Sequence, residues 1–171
     1  MRTLAIDYRV LPINLINQYI WDLANGDVSG VEAIPTEVWD TSVYTYPPMF
    51  PVHENQGADT GGTHPFFLYD YLFDEREGTF FAIKRERAIY TIVASSPSQL
   101  YAIKNFIQDT LNKFDETAQG INNHIHNESI KFKFVKCSQD LFVMQELKQT
   151  ERSFASKFAS TLAITYEYTR S

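Results

Sequence analysis

Apolar residues recur at helical spacing near the start of this 171-residue chain. Pro12 can occupy the first turn of a helix, where its missing N–H group is not needed. Asn25-Gly26 can supply the left-handed conformation that ends a helix. The pattern therefore predicts an N-terminal helix, with Asn17 and Asp22 outside its apolar face. That face comprises Leu15, Ile16, Tyr19, Ile20 and Leu23.

Alternation of apolar and polar positions, which is typical of β-strands, follows the helix. Residues 36–46, rich in Val, Thr, Trp and Tyr, predict a first strand. Residues 65–73 and 79–94 predict a hairpin whose charged turn, 74–78, ends in a glycine. The two strands of this hairpin would form the aromatic centre of a sheet.

Helical spacing returns after the hairpin. Ser96, followed by a proline, can cap a helix, and Gly120 is placed to end it. The pattern therefore predicts one long central helix between them. Alternation then resumes over residues 130–135, 141–147 and 158–169, which predict the closing strands.

The segment from residue 47 to residue 64 has neither helical nor strand periodicity. It is rich in proline and glycine and longer than most loops of compact domains. Two interpretations stay open, a mobile arm used for binding or an ordinary surface loop.

The order of elements predicts an α+β fold. We expect a largely antiparallel sheet, with the N-terminal helix and the long central helix packed on one face. The chain is long enough, and its apolar content of 44 % is high enough, for residues 1–171 to form a single domain with a hydrophobic core.

Composition narrows the classes of function. The net charge of −6 argues against a nucleic-acid-binding surface, whose affinity comes mainly from Lys and Arg on phosphates. A single cysteine, Cys137, excludes an internal disulfide and a cysteine-based zinc site. The sequence lacks the run of about 18 apolar residues that a membrane span needs and has no apolar signal core. We therefore expect no membrane partner and synthesis in a reducing cytoplasm.

His124 and His126 are the nearest approach to a metal motif. Two positions apart on a strand, both imidazoles would share one face, a geometry that metals accept. They fall in a polar link, however, and no spacing identifies a third ligand. Phosphate-binding glycine loops and nucleophile motifs are also missing from the sequence. We predict no metal, no other cofactor and no catalytic residue.

Charged residues cluster at the predicted hairpin. Strand alternation places Arg85 and Arg87 on one face and Lys84 and Glu86 on the other. Because arginine binds carboxylates through two hydrogen bonds and is enriched at interfaces, we expect ion pairs with a neighbouring subunit. The alternative is an exposed segment that contributes little to stability. The candidate interface comprises Asp74, Glu75, Arg76, Glu77, Lys84, Arg85 and Arg87.

The order and character of the elements carry a resemblance to a known family. An amphipathic helix is followed by the aromatic strand at 65–71 and a strand ending at 89–93. A polar break, a helix over 100–111 and closing strands come next. This arrangement, which covers most of the chain, resembles the tail terminator and neck proteins of tailed bacteriophages.

The resemblance implies a structural protein of the virion, made in the cytoplasm of the bacterial host. Such proteins form a ring, commonly six-fold, at the head-proximal end of the tail. The ring stops polymerisation of the tail tube and joins the tail to the head connector. The implied partners are further copies of the chain, the tail-tube protein and the connector or neck proteins. The resemblance also implies that the loop over 47–64 contacts neighbouring rings, with four candidate contact residues: Pro47, Pro48, Phe50 and Pro51. DNA would pass through a lumen whose acidic groups repel it.

A second interpretation comes from a different class of function. It makes the chain a metal-assisted enzyme or ligand-binding α+β domain that uses His124 and His126. This interpretation predicts bound metal and a concave pocket. The lack of a convergent nucleophile, base and orienting group in the sequence favours the structural protein.

Overall fold

The computed structural model describes residues 11–44, 47–51, 65–74, 83–111, 115–124, 132–139 and 158–170. It contains three α-helices within these ranges: α1 (Pro12–Asn25), α2 (Pro97–Leu111) and α3 (Asp115–His124). The strands are β1 (Met49–Pro51), β2 (Phe66–Asp74), β3 (Ile83–Ala94), β4 (Phe132–Gln139) and β5 (Phe158–Arg170). The predicted α+β class is confirmed.

The five strands form one mixed sheet in the order β1-β2-β3-β5-β4. β1 runs parallel to β2, and the other three pairings are antiparallel. The register of β4 on β5 shifts between Phe134 and Lys136, as at a β-bulge. The sheet is therefore largely antiparallel, as predicted.

Alternate residues of the central strands enter a core that they share with the three helices. On β5 the buried positions are those that the alternation predicted, from Ser160 to Tyr168. The indole of Trp39 is fully buried, with its ring 5.1 Å from that of Phe67 and 5.6 Å from that of Trp21. Full burial of one aliphatic or phenylalanine side chain in this core contributes about 1.5–3 kcal/mol to the free energy of unfolding.

Helix α1 begins and ends where its sequence predicted. Pro12 is its first residue, and Gly26, with φ of 76°, donates its N–H to the carbonyl of Leu23. The placement of Asn17 outside the buried face was wrong. Asn17 is buried and accepts a 2.6 Å hydrogen bond from the hydroxyl of Tyr90. A buried amide is tolerated there because it is paired.

The predicted strand over residues 36–46 was wrong over residues 36–44, and residues 45 and 46 lie outside the described residues. Residues 36–38 form a turn, and Thr41–Val43 form a short 3₁₀ helix. The carbonyl of Pro35 accepts hydrogen bonds from the N–H groups of both Val38 and Trp39. The Asp40 carboxylate accepts from the N–H of Ser42 at 3.1 Å. These local bonds give the backbone an alternative to a strand ladder.

The predicted end of the long central helix was also wrong. Ser96 caps α2 as expected, since its hydroxyl accepts from the N–H of Gln99 at 3.2 Å. The helical structure does not end at Gly120, because α3 continues through it to His124. Residues 112–114, between α2 and α3, lie outside the described residues. A Cβ on Gly120 would lie 2.7 Å from the hydroxyl oxygen of Tyr19. Glycine is therefore required for the close approach of α3 to α1 and does not end the helix.

The predicted loop over 47–64 contains an edge strand. The carbonyl of Pro48 accepts from the N–H of Phe67 at 2.9 Å, and Met49 is in register with Phe67. The rest of that loop, 52–64, lies outside the described residues, as do the hairpin turn at 75–78 and the predicted strand at 141–147.

Candidate interaction surface on the second face of the sheet

The second face of the sheet carries the residues of β3 that do not enter the core. As predicted, Arg85 and Arg87 share this face with Ile89, Thr91 and Val93. Arg85 and Arg87 are exposed, Ile89 and Thr91 are half-buried, and Val93 is buried. At about 3.3 Å per residue, the face changes from charged to apolar over roughly 26 Å.

A small apolar cluster forms the Val93 end of this face. It is separate from the main core and consists of Phe66 and Val93, with Phe50, Leu68 and Ala159 packed against them. Phe50 belongs to β1, so this candidate contact residue lies at the edge of the sheet. Pro48 is buried, and Pro47 and Pro51 are half-buried. The four predicted contact residues thus lie in and beside an edge strand and not in a free loop.

Charged residues lie opposite one another on neighbouring strands at the end of this face where β3 begins. The register aligns Asp74 with Arg85, Arg85 with Glu167, and Glu167 with Lys136. At these aligned Cα positions the formal charge of the residues therefore alternates in sign across four strands. Arg85 Nε lies 3.8 Å from Glu167 Oε1, and the two side chains are 53 % and 28 % exposed. An exposed pair of this kind contributes at most about 1 kcal/mol.

Arg85 thus has an acidic partner within its own chain. Glu167 was not predicted as this partner because strand pairing, and not sequence proximity, brings it to Arg85. Of the other predicted interface residues, Lys84 and Arg87 are exposed on β3, and Asp74 ends β2. The remaining three, Glu75, Arg76 and Glu77, lie outside the described residues.

Glu86 points to the opposite face and is buried in the core, with 5 % exposure. Its carboxylate accepts hydrogen bonds from the hydroxyls of Tyr166, at 2.8 Å, and Tyr168, at 2.6 Å. Burial, and next the Glu86 carboxylate, raise the pKa of Tyr166 well above its ordinary range. The alternation of the two strands could have predicted this cluster. It places two tyrosines on the buried face of β5 and one glutamate among the core-facing positions of β3.

His124 links two helices. It is the last residue of α3, and its Nε2 lies 2.6 Å from Oδ2 of Asp22 on α1. The other oxygen of Asp22 accepts from Nε2 of Gln18 at 2.8 Å. The placement of His124 in a polar link was wrong because the helix continues past Gly120, and His126 lies outside the described residues. No group of three His, Cys, Asp or Glu that could hold a metal occurs within the described ranges.

The chain was also compared with known proteins. No model of a known protein family matches it, and no curated protein does. Within the described part of the chain, every helix is too short or too polar to cross a membrane.

Proposed function

We propose that this chain is a structural subunit of the tail of a tailed bacteriophage. In this proposal, copies form a ring, commonly six-fold in proteins of this kind, at the head-proximal end of the tail. The ring ends polymerisation of the tail tube and joins the tail to the head connector. Its partners are the tail-tube protein and the connector or neck proteins.

The observation that carries the proposal is the second face of the sheet. One rigid face of the sheet carries the half-buried side chains of Phe50, Leu68 and Ala159 around the buried Phe66 and Val93, and exposed arginines about 20–26 Å further along β3. Apolar residues and arginines on one face are a composition typical of protein interfaces. A sheet places such residues with little conformational freedom, which lowers the entropic cost of association.

The order of elements also supports the proposal. An N-terminal helix, the β2–β3 ribbon, a helical segment and closing strands follow one another, and the resemblance to terminator and neck proteins rests on that order. The edges of the described sheet are consistent with a controlled assembly. In the part of the chain that the structure describes, β1 spans Met49–Pro51 and is preceded by two prolines, and β4 has an irregular register. Short, proline-bearing or bulged edges limit uncontrolled strand pairing.

Negative-stain imaging of the purified chain after size exclusion tests the proposal. The expected particle is a closed ring with a central opening. Particles that remain single copies at every protein concentration and ionic strength would count against a ring-forming role. Stoichiometric metal bound to such single copies would instead favour the metal-assisted alternative at His124 and His126.

A further inference from the structure

Charge is distributed unevenly along this chain. From residue 10 to residue 75 the sequence contains ten of its 21 acidic residues and no lysine or arginine. All 15 basic residues lie outside that segment. The net charge of −6 therefore conceals a strongly acidic segment and a slightly basic remainder.

The fold places exposed acids of that segment near the Ala94 end of β3. Asp27, Glu32 and Glu37 are exposed in the connection that follows α1. The carbonyl of Val38, next to Glu37, accepts a 2.8 Å hydrogen bond from Nε2 of Gln99. Gln99 lies in the first turn of α2, which begins three residues after β3 ends. We call these three acids the acidic end.

Exposed basic residues lie at the opposite end of the same strand. Lys84, Arg85 and Arg87 are exposed near the start of β3. The strand rise of about 3.3 Å per residue separates Arg87 from Ala94 by about 23 Å and Lys84 by about 33 Å. We call these three residues the basic end. Both separations exceed the Debye length of about 8 Å at physiological ionic strength, so the two ends do not neutralise each other within one copy.

We propose that the acidic end of one copy binds the basic end of the next copy, and that this contact forms the ring. The inference rests on the proposed function and names the interface through which it operates. Complementary patches at two different places on one chain make a head-to-tail contact, which closes into a ring when the rotation per subunit permits. The occupant of each patch is thus a second copy of this chain.

Two charge-reversed variants test the contact. E32K/E37K makes both ends basic, and K84E/R87E makes both ends acidic. Each variant alone should self-associate with a Kd raised about tenfold or more, since like charges then face each other. An equimolar mixture should recover assembly at the wild-type concentration, because the two variants can alternate around the ring. Light scattering of each sample measures this.

D109K/E116K is the matched control for E32K/E37K, because it makes the same change in net charge at exposed positions on α2 and α3. It should assemble like the wild type. Circular dichroism establishes that each variant is folded. Folded reversal variants that assemble alone as well as the wild type, or a mixture that fails to recover assembly, would overturn this interface and leave the ring proposal standing. A wild-type chain that does not associate even at low salt would overturn both.

Discussion

Tyr166 donates a 2.8 Å hydrogen bond to the carboxylate of Glu86, deep within the core face of the sheet. The residues on either side of Glu86, Arg85 and Arg87, project from the opposite face and are exposed. The charged tetrapeptide 84–87 therefore contributes side chains to both faces of the sheet. Its acid is part of the hydrogen-bonded core, and its arginines belong to the face that we propose for assembly.

Removing the Glu86 carboxylate should destabilise the fold. In Glu86→Ala two buried tyrosine hydroxyls lose their acceptor, and we expect the free energy of unfolding to fall by about 2–4 kcal/mol. Glu86→Gln should cost less because its amide oxygen can still accept one hydrogen bond. Urea denaturation measures both changes. Lys84→Ala, at the exposed neighbouring position, is the control and should change stability by less than about 0.5 kcal/mol. Equal stability of the two alanine variants would contradict the assigned role of Glu86.

Alkaline pH should destabilise the protein partly through Tyr166. The unfolded chain loses this proton near the ordinary pKa of 10.0, whereas the folded chain retains it because the pKa of Tyr166 is raised. The folded state then holds more protons, so the free energy of unfolding falls with rising pH. The contribution is complete below about pH 10 and declines by about 1.4 kcal/mol per pH unit above it.

Unfolding of the wild type and of Tyr166→Phe at about pH 9 and about pH 11 measures this dependence. The wild type should lose more stability between the two values than the variant does, because Phe has no proton to release. The difference between the two slopes isolates Tyr166 from the other titrating side chains. Parallel pH dependences would show that the hydroxyl does not behave as described.

Gly120→Ala tests the close contact between α3 and α1. Alanine favours a helix interior by about 1 kcal/mol over glycine, but its Cβ would lie 2.7 Å from the Tyr19 hydroxyl oxygen. Because Tyr19 is buried, moving its ring away would disturb its packing, and we expect net destabilisation of about 1–2 kcal/mol. In a Tyr19→Phe background the clash is relieved, and Gly120→Ala should become neutral or stabilising. Thermal unfolding of the four variants measures this; the same effect in both backgrounds would exclude the contact.

Asp22 and His124 should stabilise the packing of α1 on α3 together. The atoms in contact are 2.6 Å apart and the side chains are 17 % and 24 % exposed, so we expect a coupling energy of about 0.5–1.5 kcal/mol. A double-mutant cycle of Asp22→Ala and His124→Ala at neutral pH measures it. Additive effects of the two substitutions would mean that the pair contributes nothing as a unit.

Hydrophobic periodicity predicted much of this fold. It located α1, the β2–β3 ribbon and β5, where long regular patterns leave few alternatives. It failed at residues 36–44, where the composition suits a strand but hydrogen bonds to Pro35 and Asp40 form turns. It also failed at Gly120, whose small size serves a contact with Tyr19 that lies far away in sequence. Local patterns carry no information about such tertiary contacts.

The candidate surface was predictable only in part. Alternation correctly assigned Arg85 and Arg87 to one face, but the partnership with Glu167 depends on the pairing of β3 with β5. The core cluster of Glu86 depends on the same register. The acidic end could be recognised only once the position of residues 26–40 relative to β3 was known.

Native mass spectrometry of the wild-type chain tests the central claim most directly. A closed ring has a single preferred copy number, because head-to-tail contacts leave no free patch once the ring is complete. We therefore predict one dominant assembly of about six copies and few smaller species. This assembly should dissociate as ionic strength rises. A chain that stays monomeric, or one that forms a continuous ladder of copy numbers insensitive to salt, would contradict the account.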